Sequence, residues 1–275
     1  MPEGPEIRRA ADRIERAIAG PLIEDVQFAF DHLQSYESDL IGQRVLEVET
    51  RGKAMLTHFD NGLSIYSHNQ LYGVWMIRKK NNFPQTRRQL RLAIHGDEKM
   101  ALLYSASSIE VLDKKGIKNH SFLGGLGPDV MNKRTQKRTL SNRLIKQLEK
   151  HKRRQLCGSL LDQKMVCGIG NYLRSEILFL AKLHPSRRPV DCTKEELKSL
   201  VKLMISVPEQ SYKTGGITND LKRAEQLKAQ GARKSHYRHW VFARKNQPCY
   251  VCGETIIKST FAGRRCYHCP RCQKL

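Results

Sequence analysis

The residue types best suited to covalent chemistry stand at the start of the chain, in Met1-Pro2-Glu3-Gly4-Pro5-Glu6. A Met ahead of Pro is ordinarily trimmed, which leaves Pro2 as the amino terminus. Its nitrogen then changes from an amide, with the lone pair held in resonance, to a free secondary amine. A free α-amine titrates near pH 7.7–8.0, so roughly a tenth is neutral and nucleophilic at neutral pH. Glu3 and Glu6 place two carboxylates within four residues of that amine. An amine beside acid/base groups suits covalent catalysis at an electrophilic carbon. The plainer reading is that Pro5 and Glu6 merely open a helix.

The most specific spacing lies at the other end, Cys249-x2-Cys252-x16-Cys269-x2-Cys272. Two thiolate pairs at this spacing close a tetrahedral Zn2+ site between two knuckles. Cys266 extends the second pair to C-x2-C-x2-C and leaves a ligand swap open, although the flanking spacing favours Cys269 and Cys272. With four sulfur ligands there is no open coordination position, so the zinc is structural. Residues 255–261 and those after Gly263 then read as a hairpin turning at Ala262-Gly263-Arg264, with Arg264 and Arg265 pointing outward at phosphates. Cys157, Cys167 and Cys192 are scattered and read as buried free thiols.

Three weaker motifs lie between these ends. Gly168-Ile169-Gly170-Asn171-Tyr172 precedes a helical stretch, where small residues and free N–H groups can meet a phosphate. The simpler reading is an interhelical turn with Asn171 as N-cap. His68-Asn69-Gln70-Leu71-Tyr72-Gly73-Val74-Trp75 mixes amide, aliphatic and aromatic side chains that can wedge into a base stack. Taken alone it reads better as a strand with Leu71 and Trp75 in the core. Lys53 follows a glycine ahead of a strand and by composition is one of many cations.

Local patterning supplies the elements that must carry these residues. Residues 5–20 form an amphipathic helix with Ile7, Ala10, Ala11, Ile14, Ala17 and Ile18 on one face, ended by Gly20-Pro21. Short, partly alternating strands follow to about 112, at 45–49, 54–59, 63–66 and 90–94, with Asp60-Asn61-Gly62 as a hairpin turn. This predicts an antiparallel β-sandwich with a flanking helix over residues 1–123. Gly124-Gly125-Leu126-Gly127-Pro128-Asp129 breaks the composition and opens a linker over 124–134. Beyond it the chain turns helical and basic, with helices at 135–149, 172–183 and 193–206. The last is opened by the capping box Thr193/Glu196. Residues 213–216 read as a flexible loop, and 219–236 give no clear signal.

The 49 Lys and Arg against 27 acids give a net charge of +22. Such a surplus repels itself unless the partner is a polyanion, and nucleic acid is the first candidate. No basic amphipathic helix with an aromatic face suggests a membrane surface. No apolar run approaches a membrane span, and Arg8, Arg9, Asp12 and Arg13 interrupt any signal core. The expectation is a cytoplasmic protein, monomeric because no self-complementary apolar stripe is evident.

Together and in this order, PEGPEIRRAAD, TRGKA around Lys53, YSHNQLYGVW, GIGNYLRSEIL and GRRCYHCPRCQ resemble the formamidopyrimidine-DNA glycosylase/endonuclease VIII family. PEGPE and QLYGVW point to its endonuclease VIII branch. The resemblance covers essentially the whole chain. It implies an α+β protein: an N-terminal antiparallel β-sandwich, a helix–two-turn–helix domain (135–237) and a zinc-finger β-hairpin (238–275), with damaged double-stranded DNA lying in the cleft.

By the same resemblance Pro2 is the Schiff-base nucleophile, Glu3 the catalytic acid and Glu6 a carboxylate that helps the sugar step. Lys53 is the general acid of β-elimination, and Arg264 the phosphate-gripping residue of δ-elimination. Gln70, Leu71 and Tyr72 fill the void left by an extruded base, and Asn171 contacts phosphate. One position departs: where the branch carries a DNA-contacting arginine before the linker, this chain has Gly125. The activity implied is a bifunctional glycosylase/AP lyase for oxidised pyrimidines, with one structural Zn2+ and no redox or organic cofactor. The alternatives are an oxidised-purine glycosylase and a zinc-stabilised DNA-binding protein without chemistry.

Overall fold

The structure, a computed structural model, describes residues 2–275; Met1 and its removal lie outside the described residues. The chain forms two compact units. One takes in Pro2 and Glu6–Gly125, the other Glu3–Pro5 with Leu126–Leu275.

The first unit opens with helix α1 (Gly4–Ile18). Its apolar face is buried at Ile7, Ala10, Ala11, Ile14 and Ile18, as the 3.6-residue period requires. Gly20 follows in the left-handed region, φ +100°. Strand β1 (Asp25–Phe28) leads into two single-turn helices, α2 (Asp31–Gln34) and α3 (Glu37–Leu40). Seven strands follow: β2 (Val45–Arg51), β3 (Ala54–Phe59), β4 (Ser64–His68), β5 (Val74–Lys79), β6 (Leu90–His95), β7 (Lys99–Tyr104) and β8 (Ser108–Leu112). Short helices α4 (Lys114–Asn119) and α5 (Ser121–Gly124) close the unit.

The strands build two antiparallel four-stranded sheets, ordered β1-β6-β7-β5 and β2-β3-β4-β8. Alternate residues of every strand, among them Val26, Val48, Met55, Ile65, Trp75, Ile94, Leu103 and Ile109, share one core with α1. That is the packing a period-2 pattern produces. The expected hairpin turn is present: Asn61 Oδ1 accepts the Leu63 N–H at 3.1 Å and Gly62 holds φ +86°.

The second unit contains α6 (Lys137–Lys150), α7 (Leu156–Ser159), α8 (Asn171–Leu180), a 3-10 turn at Pro189–Asp191, α9 (Lys194–Lys213), α10 (Leu221–Ala229) and α11 (Lys234–Tyr237). A hairpin of β9 (Ile257–Phe261) and β10 (Arg264–His268) ends it. Leu140, Leu144 and Leu148 of α6, Leu173 and Ile177 of α8, and Leu200, Val201 and Met204 of α9 share its main core. The capping box predicted at Thr193 forms with Glu196, and the helix it opens runs seven residues past the expected end, through Pro208. The unplaced stretch 219–236 holds α10 and the start of α11.

Residues 126–131 are part of the second unit and bond to its Gly-rich segment. Gly127 N donates to Gln163 O, Val130 N to Cys167 O, and Cys167 N to Pro128 O. Val130 and Met131 are buried in its core. A Cβ on Gly127 would stand 2.5 Å from the Lys164 carbonyl oxygen, so this glycine serves close approach of backbone. Cys157 and Cys167 are buried as expected; Cys192, expected buried, is only half-buried.

Candidate functional site

In the second unit the Glu3 carboxylate, 4% exposed, sits on the N-terminus of α8. Oε2 accepts from Gly170 N at 2.7 Å and Leu173 N at 3.2 Å, and Oε1 accepts from Tyr172 N at 2.8 Å. Helix starts leave such N–H groups without intrahelical partners, and here a side chain from the far end of the sequence takes three of them. The N-cap is Gly170 and Asn171 is the first helical residue, so the expected cap at Asn171 is corrected. Glu3 takes the N–H groups that a cap side chain would satisfy, and the cap position has no room for a side chain of its own: a Cβ at residue 170 would stand 2.4 Å from the Glu3 carboxyl. Gly4 N donates to Gly168 O at 2.8 Å, and Gly168 has φ +92°, so the Gly-rich turn and residues 3–4 fix each other.

Two residues of α8 that sequence reasoning passed over tie this helix to later segments of the unit, Arg174 to the hairpin and Glu176 to Thr218 and residues 240–242. Arg174, fully buried, donates from Nη2 to Asn171 Oδ1 at 2.6 Å and to Arg265 O at 2.7 Å, and from Nη1 to Cys157 O at 3.4 Å. Burial pulls its pKa below the usual guanidinium range. Glu176, also fully buried, accepts from Thr218 Oγ1 at 2.5 Å and from the N–H groups of Trp240, Val241 and Phe242 at 2.7–2.9 Å. Burial pushes its carboxyl up while those donors pull it down. His239 beside it is driven down to about 3 by burial, with Arg238 and Lys234 adding to the effect, and stays neutral. The only sequence signal for this pair was two charged residues inside an otherwise apolar helix.

Cys249, Cys252, Cys269 and Cys272 bring their four sulfurs within 4.8 Å of one another. Tetrahedral zinc with Zn–S bonds of about 2.3 Å needs sulfurs roughly 3.8 Å apart. The observed Cys249–Cys272 separation is 3.9 Å, and Cys252 stands 3.4 Å from both Cys269 and Cys272. The set therefore fits a structural zinc. Cys266 is outside it, buried with Ser175 Oγ at 3.6 Å, so the two C-x2-C pairs are the set that fits the metal. Phe179, Val241 and Ile256 pack around the knuckles. The hairpin turns through Ala262 and Gly263, both at positive φ (49° and 70°), the geometry of a two-residue turn. Arg264 and Arg265 are exposed at its tip.

In the first unit Pro2 is half-buried, and Glu6 accepts from Arg9 Nη2 at 3.1 Å. Lys53 lies in the tight β2–β3 turn, Arg51 pairing with Ala54. His68, opposite Ala54 on β4, has its pKa lowered by burial and by Lys53.

Residues 69–73 form a closed turn rather than the strand that their apolar residues suggested. Gly73 N donates to Asn69 O at 2.7 Å, and a Cβ on Gly73 would lie 2.6 Å from that oxygen. Gln70 holds φ +46°; its N–H donates to His68 Nδ1 at 3.0 Å and its Oε1 accepts from Ser107 at 2.8 Å. Arg88 grips the Tyr72 carbonyl at 2.7 Å. The turn carries Leu71 and Tyr72 out to solvent, 59% and 71% exposed, whereas Trp75 is core. The core reading thus holds for Trp75 and fails for Leu71, because Leu71 lies inside the closed turn between β4 and β5 and not in a strand.

A helix-flanked sandwich, a helical unit whose Gly-rich turn is capped by the N-terminal carboxylate, and a four-cysteine hairpin define a class. Residues 1–107 match the model of the formamidopyrimidine-DNA glycosylase N-terminal domain, and residues 126–223 that of the formamidopyrimidine-DNA glycosylase H2TH domain. The chain belongs to the formamidopyrimidine-DNA glycosylase family.

Within it the chain is similar to Endonuclease 8 of Salmonella arizonae, 45% identical over 274 residues and 100% of both chains. It is equally similar to that of an Escherichia coli strain, 45% identical over 273 residues, 99% of this chain and 100% of the other. In fold it is similar to Lactococcus lactis Fpg solved with abasic-site DNA, TM-score 0.80 at 19% identity, covering 99% of this chain and 100% of that one. The same Fpg solved with DNA containing an oxidised pyrimidine gives TM-score 0.80 at 19% identity over 100% of both chains.

Proposed function

We propose that the chain is a bifunctional DNA glycosylase/AP lyase of base excision repair. It removes oxidised pyrimidines from double-stranded DNA and nicks the strand by β,δ-elimination. The observation that carries the reading is the pairing of Pro2 with Glu3, whose carboxylate three backbone N–H groups fix on the start of α8. The full-length likeness to Endonuclease 8 supports it.

In this reading the damaged nucleotide leaves the stack, since its C1′ is unreachable inside the duplex. The Pro2 nitrogen forms a bond to C1′, and the C1′–base bond breaks with its electron pair going to the base. The Glu3 carboxylate takes the proton that the Pro2 nitrogen loses on bonding to C1′ and passes it to the ring oxygen as the C1′–O4′ bond breaks to give the iminium, and Glu6 assists the sugar step. A secondary amine gives an iminium that keeps its positive charge without losing a proton. That cation acidifies C2′–H; loss of the proton breaks the C3′–O bond and expels the 3′ phosphate, with Lys53 as general acid. A second elimination breaks the C5′–O bond, aided by Arg264. Water then hydrolyses the imine and frees Pro2.

Gln70, Leu71 and Tyr72 fill the vacated space, and Asn171 holds a phosphate. The sandwich (1–123) carries the nucleophile, the helical domain (135–237) through Asn171 and the finger (238–275) through Arg264 grip DNA, and 124–134 joins them. The zinc holds the finger and takes no part in the chemistry. The enzyme acts as a monomer in the cytoplasm, on DNA; among the described residues no helix is long and apolar enough to cross a membrane. Duplexes carrying thymine glycol or 8-oxoguanine test the substrate class. Faster single-turnover excision of thymine glycol is expected, and faster excision of 8-oxoguanine would contradict it.

A further inference from the structure

Helix α6 and the turn after it carry a charge pattern that the reaction does not use. Residues 133–154 hold ten Lys and Arg (133, 134, 137, 138, 143, 146, 150, 152, 153 and 154) against one acid, Glu149. Leu140, Leu144 and Leu148 turn inward to the core, so the cations fall on the opposite face. Arg138, Arg143, Lys146 and Lys150 are all exposed, and none forms an ion pair among the described residues.

The pattern runs against the helix's own stability. Lys137 and Arg138 occupy the first turn, which has no acid, and the Gln136 cap gives no side-chain hydrogen bond. Cations there oppose the helix dipole, which favours anions at that end. Arg143 with Lys146, and Lys146 with Lys150, are like charges at the spacings where side chains meet. A helix that breaks local rules along one whole face is a candidate for a function located there. From Arg138 to Lys150 the face runs about 18 Å at 1.5 Å per residue. That matches roughly five base steps of 3.4 Å along one DNA strand.

We infer that the outer face of α6 is an additional binding surface for the phosphates of duplex DNA outside the lesion site. It rests on the reading of the chain as a DNA-acting enzyme. It adds a sequence-independent grip, and so affinity for undamaged duplex that falls steeply with salt.

The test is binding of an undamaged 30-base-pair duplex across a salt series, with the full-length protein. One variant carries Arg138→Ala, Arg143→Ala, Lys146→Ala and Lys150→Ala. A control of equal charge change carries Lys194→Ala, Lys198→Ala, Lys202→Ala and Lys228→Ala, all exposed on α9 and α10. Circular dichroism checks that both fold. The α6 variant is expected to lose at least ~10-fold in affinity at 0.1 M salt. Its log K against log salt slope should shrink by about 3, near 0.9 per phosphate. The control should move less than ~2-fold. Equal losses in both variants would show net charge alone, and no loss in the α6 variant would show a merely solvated face; either overturns the proposal. Binding to undamaged duplex does not depend on excision, so a failure of the enzymatic reading shows separately, as no lesion processing by the wild-type protein. Tighter binding to anionic vesicles than to DNA, abolished by the α6 changes, would also overturn it.

Discussion

The carboxylate of Glu3 accepts a hydrogen bond from the backbone N–H of Tyr172 at 2.8 Å, across 169 positions of sequence. Through this contact and its two neighbours, the residue beside Pro2, the proposed nucleophile, is held by the Gly-rich turn. Gly170→Ala puts a methyl 2.4 Å from that carboxyl and must displace it. The expected result is a loss of about 1–3 kcal/mol, from unsatisfied buried donors, with a large fall in single-turnover excision. Adding Glu3→Ala relieves the clash, so the double variant is expected to be more stable than the sum of the single losses; additive melting shifts would contradict the contact.

Arg174 links the turn to the finger through Asn171 Oδ1 and Arg265 O. Arg174→Met keeps the bulk and leaves those acceptors unmet. It should destabilise the protein by about 2–3 kcal/mol and weaken DNA binding while zinc stays bound. Denaturant melts, metal content and binding assays separate these effects. Loss of zinc in this variant would place Arg174 in the metal site's support instead.

Leu71 and Tyr72 project from a turn braced by Gly73, His68 and Arg88. Because both are exposed, Leu71→Ala and Tyr72→Ala are expected to shift stability by no more than about 0.5 kcal/mol yet slow excision from duplex DNA. An unchanged rate on duplex substrate would remove the loop from the proposed machinery.

Cys269→Ser should abolish zinc binding, and Cys266→Ser should retain it, measured as one Zn2+ per chain by native mass spectrometry. A strong chelator should release the metal and with it the hairpin, because a structural site contributes its binding energy to folding. Zinc retained by Cys269→Ser but lost by Cys266→Ser would reverse the ligand assignment.

Glu49 lies between His58 Nε2 at 3.2 Å and Arg51 Nε at 3.1 Å, while His58 Nδ1 meets Ser64 at 2.8 Å. Burial alone would raise its pKa, but these hydrogen bonds and charges hold it down at about 2. A folded pKa below the unfolded value stabilises at pH above the unfolded value, about 4.3. That contribution disappears as pH falls toward 2. With solvent screening it amounts to about 1–2 kcal/mol. Glu49→Gln should therefore lower stability at pH 7 and leave it nearly unchanged at pH 2, by melts across that range. An equal loss at both pH values would mean the effect is packing and not charge.

The sandwich was legible because period-2 strands and Asp60-Asn61-Gly62 are local signals, and the cysteine spacing announced its cluster. The core-strand reading of Leu71, made from its stretch alone, fails because a single glycine turn overrides apolar alternation. The simpler reading of Asn171 as N-cap fails because what binds the free N–H groups, Glu3, stands at the opposite end of the sequence. Arg174 and Glu176 were passed over for the same reason: their partners, Arg265 and residues 240–242, are remote, and no local pattern encodes a remote acceptor.

The central claim is that the Pro2 nitrogen attacks the sugar. Borohydride added during turnover of Met1-free protein on a thymine glycol duplex tests it most directly. The account predicts a covalent protein–DNA adduct that maps by mass spectrometry to Pro2. An adduct on Lys53 or another lysine, or no adduct while excision proceeds, would contradict it.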